Sequence, residues 1–299
     1  MKPLRVALIH RWHPRSTTGR IWGLWESDTP EFTVTHIPTA KGYIHDKSLL
    51  AQKFDMAVYE GPGLWLFFKG NPDFPMCYWE LDSLNSEEYY KHRLKEAGKC
   101  DIILMEHTPL DWFARVGKPT FRLNTCPASK VLKDYGLPKD IDVSFLTQTR
   151  DAVRVELNLK LVKFCEERGY SYTSGVRDYY SYGPDFNRSK ISINWSGRAP
   201  YRPWRFFESM ACRACLVTNP LLEVSEEIHR PGIDYVECQN MDELWKVIPD
   251  LLESGKWKEY AEAGYKYIQE NHTWPIRSQQ LREKLATLAG RWPQFGMAP

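Results

Sequence analysis

The segment from Ser189 to Pro220, SKISINWSGRAPYRPWRFFESMACRACLVTNP, constrains the chain more than any other. It opens with an alternation of Ile191, Ile193 and Trp195 with Ser192 and Asn194 that suits a strand. A basic loop containing glycine and proline follows, then a helix with Pro203 in its first turn, where a missing N–H costs nothing. Leu216–Thr218 forms a second short strand, ended by Asn219-Pro220. From Phe186 to Phe207 the chain carries five cations, Arg188, Lys190, Arg198, Arg202 and Arg205, and no carboxylate. A helix N-terminus presents free N–H groups and a partial positive charge, so with added Arg and Lys it favours phosphate groups. Glu208, one turn into the helix, is placed to accept hydrogen bonds from sugar hydroxyls, as carboxylates do in dinucleotide sites. The same charges also fit a solvated basic loop beside an Arg205/Glu208 ion pair at i, i+3 spacing.

The rest of the chain alternates strands with helices. Leu4–Ile9, Phe32–Ile37, Asp55–Tyr59, Met76–Trp79, Ile102–Met105 and Thr120–Leu123 read as strands, with helices over Ser86–Ala97 and Pro109–Val116. Near-continuous apolar strands in such an alternation imply a parallel sheet covered on both faces. This first domain ends near Pro138. Asp142–Thr147 then opens a second domain, followed by a helix over Arg150–Arg168 closed by Gly169, a short strand over Ser171–Gly175, and the segment already described. Asp234–Cys238 is a further strand. Met241–Glu253 and Lys256–Asn271 are amphipathic helices, Arg277–Leu288 is a last helix, and a frayed tail is expected from Gly290. The opening strand leads into a polar loop with glycine but not into a G-x-G-x-x-G fingerprint, so dinucleotide binding is not indicated there.

The run Arg205-Phe206-Phe207-Glu208, its small residues and the strand after it resemble the "R-x-F-E, small residues, strand" motif of the CgeB-like glycosyltransferases of the group-1-like GT-B class. Ser189–Asn194 upstream and His272-Thr273-Trp274-Pro275-Ile276-Arg277 downstream match that family's order and spacing, so the resemblance covers roughly residues 140–285. Arg213 departs from it, standing where relatives usually carry glycine. The resemblance implies an α/β fold of GT-B type, with two Rossmann-like domains facing across a cleft. The expected divisions are an acceptor-side domain over 1–138, a nucleotide-sugar domain over 139–275, and a C-terminal helix and tail over 276–299 that pack back on the first domain. It also implies a UDP- or GDP-sugar as co-substrate, with no tightly bound cofactor and no metal requirement. Glu208 would bind ribose hydroxyls, Lys190, Arg202 and Arg205 would neutralise the diphosphate, and Arg150 is a further phosphate candidate.

Ligands of open α/β sheets bind beyond the carboxyl ends of strands. That rule selects His10, His13, Glu60, Glu80, Asp82, Glu106 and His107 in the first domain. In the second it selects Thr147–Arg150, Asn194–Arg205 and Asn219. Glycosyl transfer needs charge stabilisation of the leaving diphosphate, a held anomeric carbon and, with inversion, a base. Asp82 is the first candidate base and Glu60 the second, and His107 is a candidate catalytic residue or substrate contact. Asp82 equally suits a helix N-cap.

Composition excludes several classes. Apolar residues at 42% and charged residues at 26% are globular values. A net charge of +2 does not mark a general nucleic-acid binder. Its distribution is uneven: residues 1–25 contain Lys2, Arg5, Arg11, Arg15 and Arg20 and no acid, interleaved with Trp12, Trp22 and Trp25. Such a surface would suit phosphate neutralisation and base access, so one expected acceptor is a hydroxymethylated pyrimidine in phage-type DNA. Surface polysaccharide, glycolipid or protein are alternative acceptors, and a non-catalytic nucleotide-sugar-binding module is the rival of another class. The start MKPLRVALIHRWH lacks the apolar core of a signal peptide, and no apolar run reaches membrane-spanning length. A cytoplasmic protein whose seven cysteines are free thiols is therefore expected. Cys212-Arg-Ala-Cys215 and Asp140-Ile-Asp142 are isolated pairs that do not build a metal site.

Overall fold

The computed structural model describes residues 2–11, 29–39, 44–60, 67–70, 73–80, 87–106, 113–147, 151–196, 204–221 and 230–296. The chain divides into two units, Met1–Thr125 with Trp274–Pro299, and Cys126–Thr273.

Unit 1 contains β1 (Leu4–Arg11), β2 (Phe32–Thr39), β3 (Ile44–Asp46), α1 (Lys47–Lys53), β4 (Met56–Glu60), β5 (Phe67–Lys69), β6 (Met76–Glu80), α2 (Glu87–Ala97), β7 (Ile102–Met105) and β8 (Thr120–Arg122). Six of the strands form a parallel sheet in the order β2-β1-β4-β6-β7-β8, and β3 pairs separately with β5. The apolar runs explain this arrangement, since Val6, Ala7, Leu8 and Ile9 on β1 and all of β7 are fully buried, as strands covered on both faces must be. Tyr59, Tyr78 and Trp79 are buried in the same sheet and belong to its core. Strand order reverses between β1 and β4, which makes their carboxyl ends the switch point of this sheet.

Unit 2 contains β9 (Ile141–Phe145), α3 (Ala152–Arg168), β10 (Tyr172–Ser174), α4 (Tyr179–Arg188), β11 (Ser189–Asn194), α5 (Trp204–Ala211), β12 (Cys215–Thr218), β13 (Val236–Glu237), α6 (Met241–Ser254) and α7 (Trp257–Asn271). Its sheet is parallel in the order β10-β9-β11-β12-β13, with the reversal between β9 and β11. Gly169 ends α3 in the left-handed conformation, φ 68°, where its N–H bonds the carbonyls of Cys165 and Glu166. The division at 125/126 precedes the boundary expected near Pro138. The reason is that Ala128 and Leu132 pack with Leu146, Tyr182, Phe186 and Cys212.

Helix α4 is an element the sequence reading did not include. It begins at the cap Asp178, whose carboxylate accepts from Tyr180 N and Ser181 N, and it tolerates Pro184 in its interior. Arg213 takes φ 56°, a conformation that glycine adopts without strain and other residues rarely do. Its side chain is held by Asp134 at 2.9 Å, by Glu262 at 3.2 Å and over the Tyr265 ring at 4.4 Å, contacts that offset the backbone cost.

After unit 2 the chain returns to unit 1 as α8 (Trp274–Ala286) and a 3₁₀ turn, Pro293–Phe295. Lys284 Nζ donates to the Arg122 carbonyl at 2.6 Å, and Trp292 Nε1 to the Asp73 carbonyl at 3.0 Å. The frayed tail expected from Gly290 is corrected as far as Gly296: Trp292 and Phe295 are buried, and burying two aromatic side chains orders the segment that carries them.

Candidate functional site

The carboxyl ends of β9 and β11 flank the switch point of unit 2. Thr147, just past β9, and Asn194, the last residue of β11, are each 2% exposed. Thr147 Oγ1 and Asn194 Oδ1 have no hydrogen-bond partner among the described residues. Asn194 Nδ2 donates to Thr218 Oγ1 at 3.4 Å, and Thr218 Oγ1 donates to the Asn219 carbonyl at 3.2 Å. Asn219 Oδ1 accepts from Ser196 N at 2.8 Å, which ties the ends of β11 and β12 together.

A cation reaches this edge from a position the sequence reading passed over. Arg154, in the first turn of α3, donates from Nε to the Trp195 carbonyl at 2.9 Å, immediately after β11. Burial lowers its pKa from the ordinary guanidinium value, and Asp151 pulls the other way. An arginine keeps its charge at neutral pH under such a shift. Asp151 also caps α3 by accepting from Val153 N at 2.9 Å, so anion attraction there depends on Arg154 more than on a free helix terminus. The sequence signal for Arg154 was its place in the first helical turn after a strand end.

Helix α5 carries Arg205 and Glu208 between β11 and β12. Glu208 is 4% exposed and Arg205 is partly buried. Phe206, Phe207 and Met210 anchor the helix in a cluster with Leu216, Tyr235, Tyr267 and Ile268. The His272 ring lies 4.6 Å from that of Phe207 and 4.7 Å from that of Tyr267. The Arg-Phe-Phe-Glu block and the distant His272 block are thus neighbours in space, which gives their joint presence a packing reason.

Lys190 is not with this group. It stands near the amino end of β11 with Nζ 2.6 Å from Asp142 Oδ1, four residues before Asn194. At about 3.3 Å per residue it is ~13 Å from the strand's carboxyl end. Asp140 similarly pairs with Arg188 at 2.7 Å. Ion pairs at the amino edge thus account for the Asp140-Ile-Asp142 pattern and for Lys190. Arg150 and Arg202, with Arg198 and Pro203, lie outside the described residues.

In unit 1, Glu60 closes β4 opposite Trp79 in register. Asp82, His107 and His13 lie outside the described residues. His10 is buried at the end of β1, its ring 5.5 Å from that of His36 in an edge-to-face contact. Glu80 is buried in an ion pair, accepting from Arg93 Nη1 at 3.0 Å and from Tyr78 OH at 2.8 Å. Glu106 is buried on the neighbouring strand end and accepts from Thr125 N at 3.1 Å and from the Thr125 hydroxyl. These two carboxylates have structural partners. Among the described residues no group of three His, Cys, Asp or Glu side chains is placed to hold a metal ion. Cys212 and Cys215 are fully buried, and burial pushes both thiols well above their ordinary pKa.

Comparison with known proteins fits this geometry. Residues 151–283 match the family described as glycosyl transferase-like. Solved structures similar to the whole chain include HepE from Anabaena in complex with UDP and glucose, with TM-score 0.58 and 11% identity over 95% of this chain and 100% of that one. Sucrose-phosphate synthase from Thermosynechococcus elongatus gives 0.57 and 11% over 96% and 99%. The fold is GT-B. A putative UDP-N-acetylglucosamine 2-epimerase from Listeria monocytogenes gives 0.55 and 12% over 96% of each chain, so the architecture does not by itself select one reaction. A search of the curated proteins finds no sequence match. Among the described residues no helix is long and apolar enough to cross a membrane.

Proposed function

We propose that the protein transfers a glycosyl group from a nucleotide-sugar donor to a hydroxyl acceptor, with the donor held at the carboxyl edge of the unit 2 sheet. The observation that carries this reading is a coincidence of place: the glycosyl transferase-like match spans 151–283 and includes Arg154 and buried Asn194 at the switch point, with buried Thr147 just before it. In the reaction the bond between the anomeric carbon and the diphosphate oxygen breaks, the acceptor oxygen forms the new bond, and a base takes the acceptor proton. Arg154 and Arg205, joined by Arg150 and Arg202, neutralise the leaving diphosphate. Glu208 accepts hydrogen bonds from ribose hydroxyls. Asp82 is the proposed base, with Glu60 next and His107 as a substrate contact. Lys190, already paired with Asp142, is left out. The co-substrate is a UDP- or GDP-sugar, and the chemistry assigned to these residues needs no metal.

The CgeB-like motif supports the same reading at the level of a narrower family. For the acceptor, the acid-free start of the chain suggests DNA bearing hydroxymethylated pyrimidines. Salt-dependent binding to duplex DNA supports that acceptor, and salt-insensitive or undetectable binding at low salt removes it.

The test is incubation with a panel of UDP- and GDP-sugars, with and without hydroxymethylated DNA or other hydroxyl acceptors. Release of the nucleoside diphosphate together with a glycosylated product is expected. An isomeric sugar formed without acceptor favours a second reading as an epimerase, which the likeness to the Listeria protein supports. Binding without any turnover indicates a non-catalytic module.

A further inference from the structure

Asn194 closes β11 beside the switch point, and the hydrogen bonds around it orient its side-chain amide. Thr218, its register partner on β12, donates its hydroxyl proton to the Asn219 carbonyl at 3.2 Å. Towards Asn194 the Thr218 oxygen is therefore an acceptor, and the Asn194 atom 3.4 Å from it is the amide nitrogen. Oδ1 is consequently turned away from Thr218. It is buried without a hydrogen-bond partner among the described residues, and Thr147 Oγ1, past the end of adjoining β9, is in the same condition. Buried polar atoms are almost always satisfied in folded proteins. Two exceptions at the carboxyl ends of the two strands that bound the switch point of an open sheet indicate a ligand that completes them.

Polarity then selects the part of the ligand. An amide oxygen accepts and cannot donate, and a diphosphate at neutral pH presents acceptors. Phosphate oxygens therefore cannot satisfy Oδ1, whereas O–H or N–H groups can. We infer that Asn194 Oδ1, together with Thr147 Oγ1, binds a hydroxyl or N–H of the glycosyl or nucleoside part of the donor, which makes Asn194 a specificity-determining residue and not a phosphate ligand. This rests on the nucleotide-sugar reading above. The Arg154 guanidinium, fixed by the neighbouring Trp195 carbonyl, supplies the complementary charge for the diphosphate. One strand end thus separates donor-bearing from acceptor-bearing parts of one ligand.

The experiment is calorimetric titration of the full chain with UDP, UDP-glucose, GDP, GDP-mannose and inorganic pyrophosphate, the last read by competition with whichever nucleotide binds. Wild type is compared with Asn194→Leu and Thr147→Val, and thermal melts report folding. Each variant is expected to weaken the bound nucleotide or nucleotide sugar about tenfold while pyrophosphate affinity stays unchanged. Loss confined to the sugar-bearing ligand assigns the contact to the glycosyl part, and equal loss on the free nucleotide assigns it to the nucleoside. Unchanged affinity for every nucleotide probe in both variants overturns the inference alone, as does a matching loss for pyrophosphate. Thr147→Val decides the matter if Asn194→Leu does not fold. A wild-type chain that binds none of the probes removes the nucleotide-sugar reading, and this inference with it.

Discussion

Gly264 lies on α7 where that helix crosses α5, and substituting alanine there tests the packing that holds Glu208 in place. A Cβ at Gly264 would meet the Asp234 carbonyl oxygen at 2.7 Å and the Met210 Cγ and Sδ atoms at 3.0 Å. The Met210 side chain can move, but the Asp234 main chain has little room. Arg230 grips the Asp234 carboxylate at 2.6 Å, the Asp234 N–H bonds the Arg230 carbonyl at 3.0 Å, and adjacent Tyr235 packs 4.9 Å from Phe206. Overpacking of this kind costs about 1–3 kcal/mol. Exchanging glycine for alanine within a helix returns about 1 kcal/mol. With the main-chain oxygen unable to retreat, the larger end of the cost applies, and a net loss of about 1–2 kcal/mol is expected. That corresponds to a fall in Tm of roughly 2–8 °C for a unit of this size. Urea and thermal denaturation measure it, and Gly290→Ala, with no atom within 4 Å of its Cβ, is the neutral control. Met210 is two residues from Glu208 on α5, so nucleotide affinity should fall along with stability. A Gly264→Ala protein at least as stable as wild type would refute the close approach of α5 and α7.

Three further perturbations test a buried ion pair, a strained backbone position and the buried thiols. Arg93→Met leaves buried Glu80 without its cation and should destabilise unit 1 by about 3–5 kcal/mol in urea denaturation, whereas a loss below 1 kcal/mol contradicts the buried pair. Arg213→Gly should be roughly 1 kcal/mol more stable than Arg213→Ala, because both lose the side-chain contacts and only alanine keeps the strained φ of 56°; equal stability contradicts this. Stability should also fall at alkaline pH. Burial pushes Cys165 up to about 12 and Cys238 up to about 11 from an ordinary 9.0, and raises Cys77, Cys100, Cys212 and Cys215 as well. Neutral thiols in the folded state contribute fully below pH 9, and that contribution is lost as pH rises from 9 towards the folded values, at roughly 1 kcal/mol per thiol for each pH unit. Denaturation curves at pH 8 and pH 10 measure the difference, and identical curves would contradict the raised thiol pKa values.

The parallel sheets were legible because a strand buried on both faces reads as an unbroken apolar run, as β1 and β7 do. Helix α4 was not, because Gly183 and Pro184 look like breakers in sequence. In the structure a Cβ at residue 183 would sit 1.9 Å from the Val131 carbonyl oxygen, so glycine is required by a contact more than fifty residues away in the chain. Strands β3 and β5, at three residues each, are too short to show a period. Within the candidate site, Asn194, Arg205 and Glu208 could be named from the strand-loop-helix pattern. The same pattern included Lys190, which the structure pairs with Asp142 near the amino end of β11, because charge spacing does not tell which end of a strand a residue occupies. Arg154 escaped notice because its partner, the Trp195 carbonyl, comes from a different strand end. The Asp142 partner of Lys190 was hidden for the same reason. Sequence order records helices and strands well, but it does not record which side chains meet across a sheet.

If the carboxyl edge of unit 2 holds a nucleotide-sugar through α5, Glu208 carries part of the affinity. Calorimetric titration of UDP and GDP into wild type and Glu208→Ala measures that share. One nucleotide should bind the wild-type chain, and the variant, with thermal melts reporting that it is still folded, should lose about 1–3 kcal/mol of that affinity. Wild-type affinity in Glu208→Ala, or no binding of either nucleotide to the wild-type chain, would contradict it.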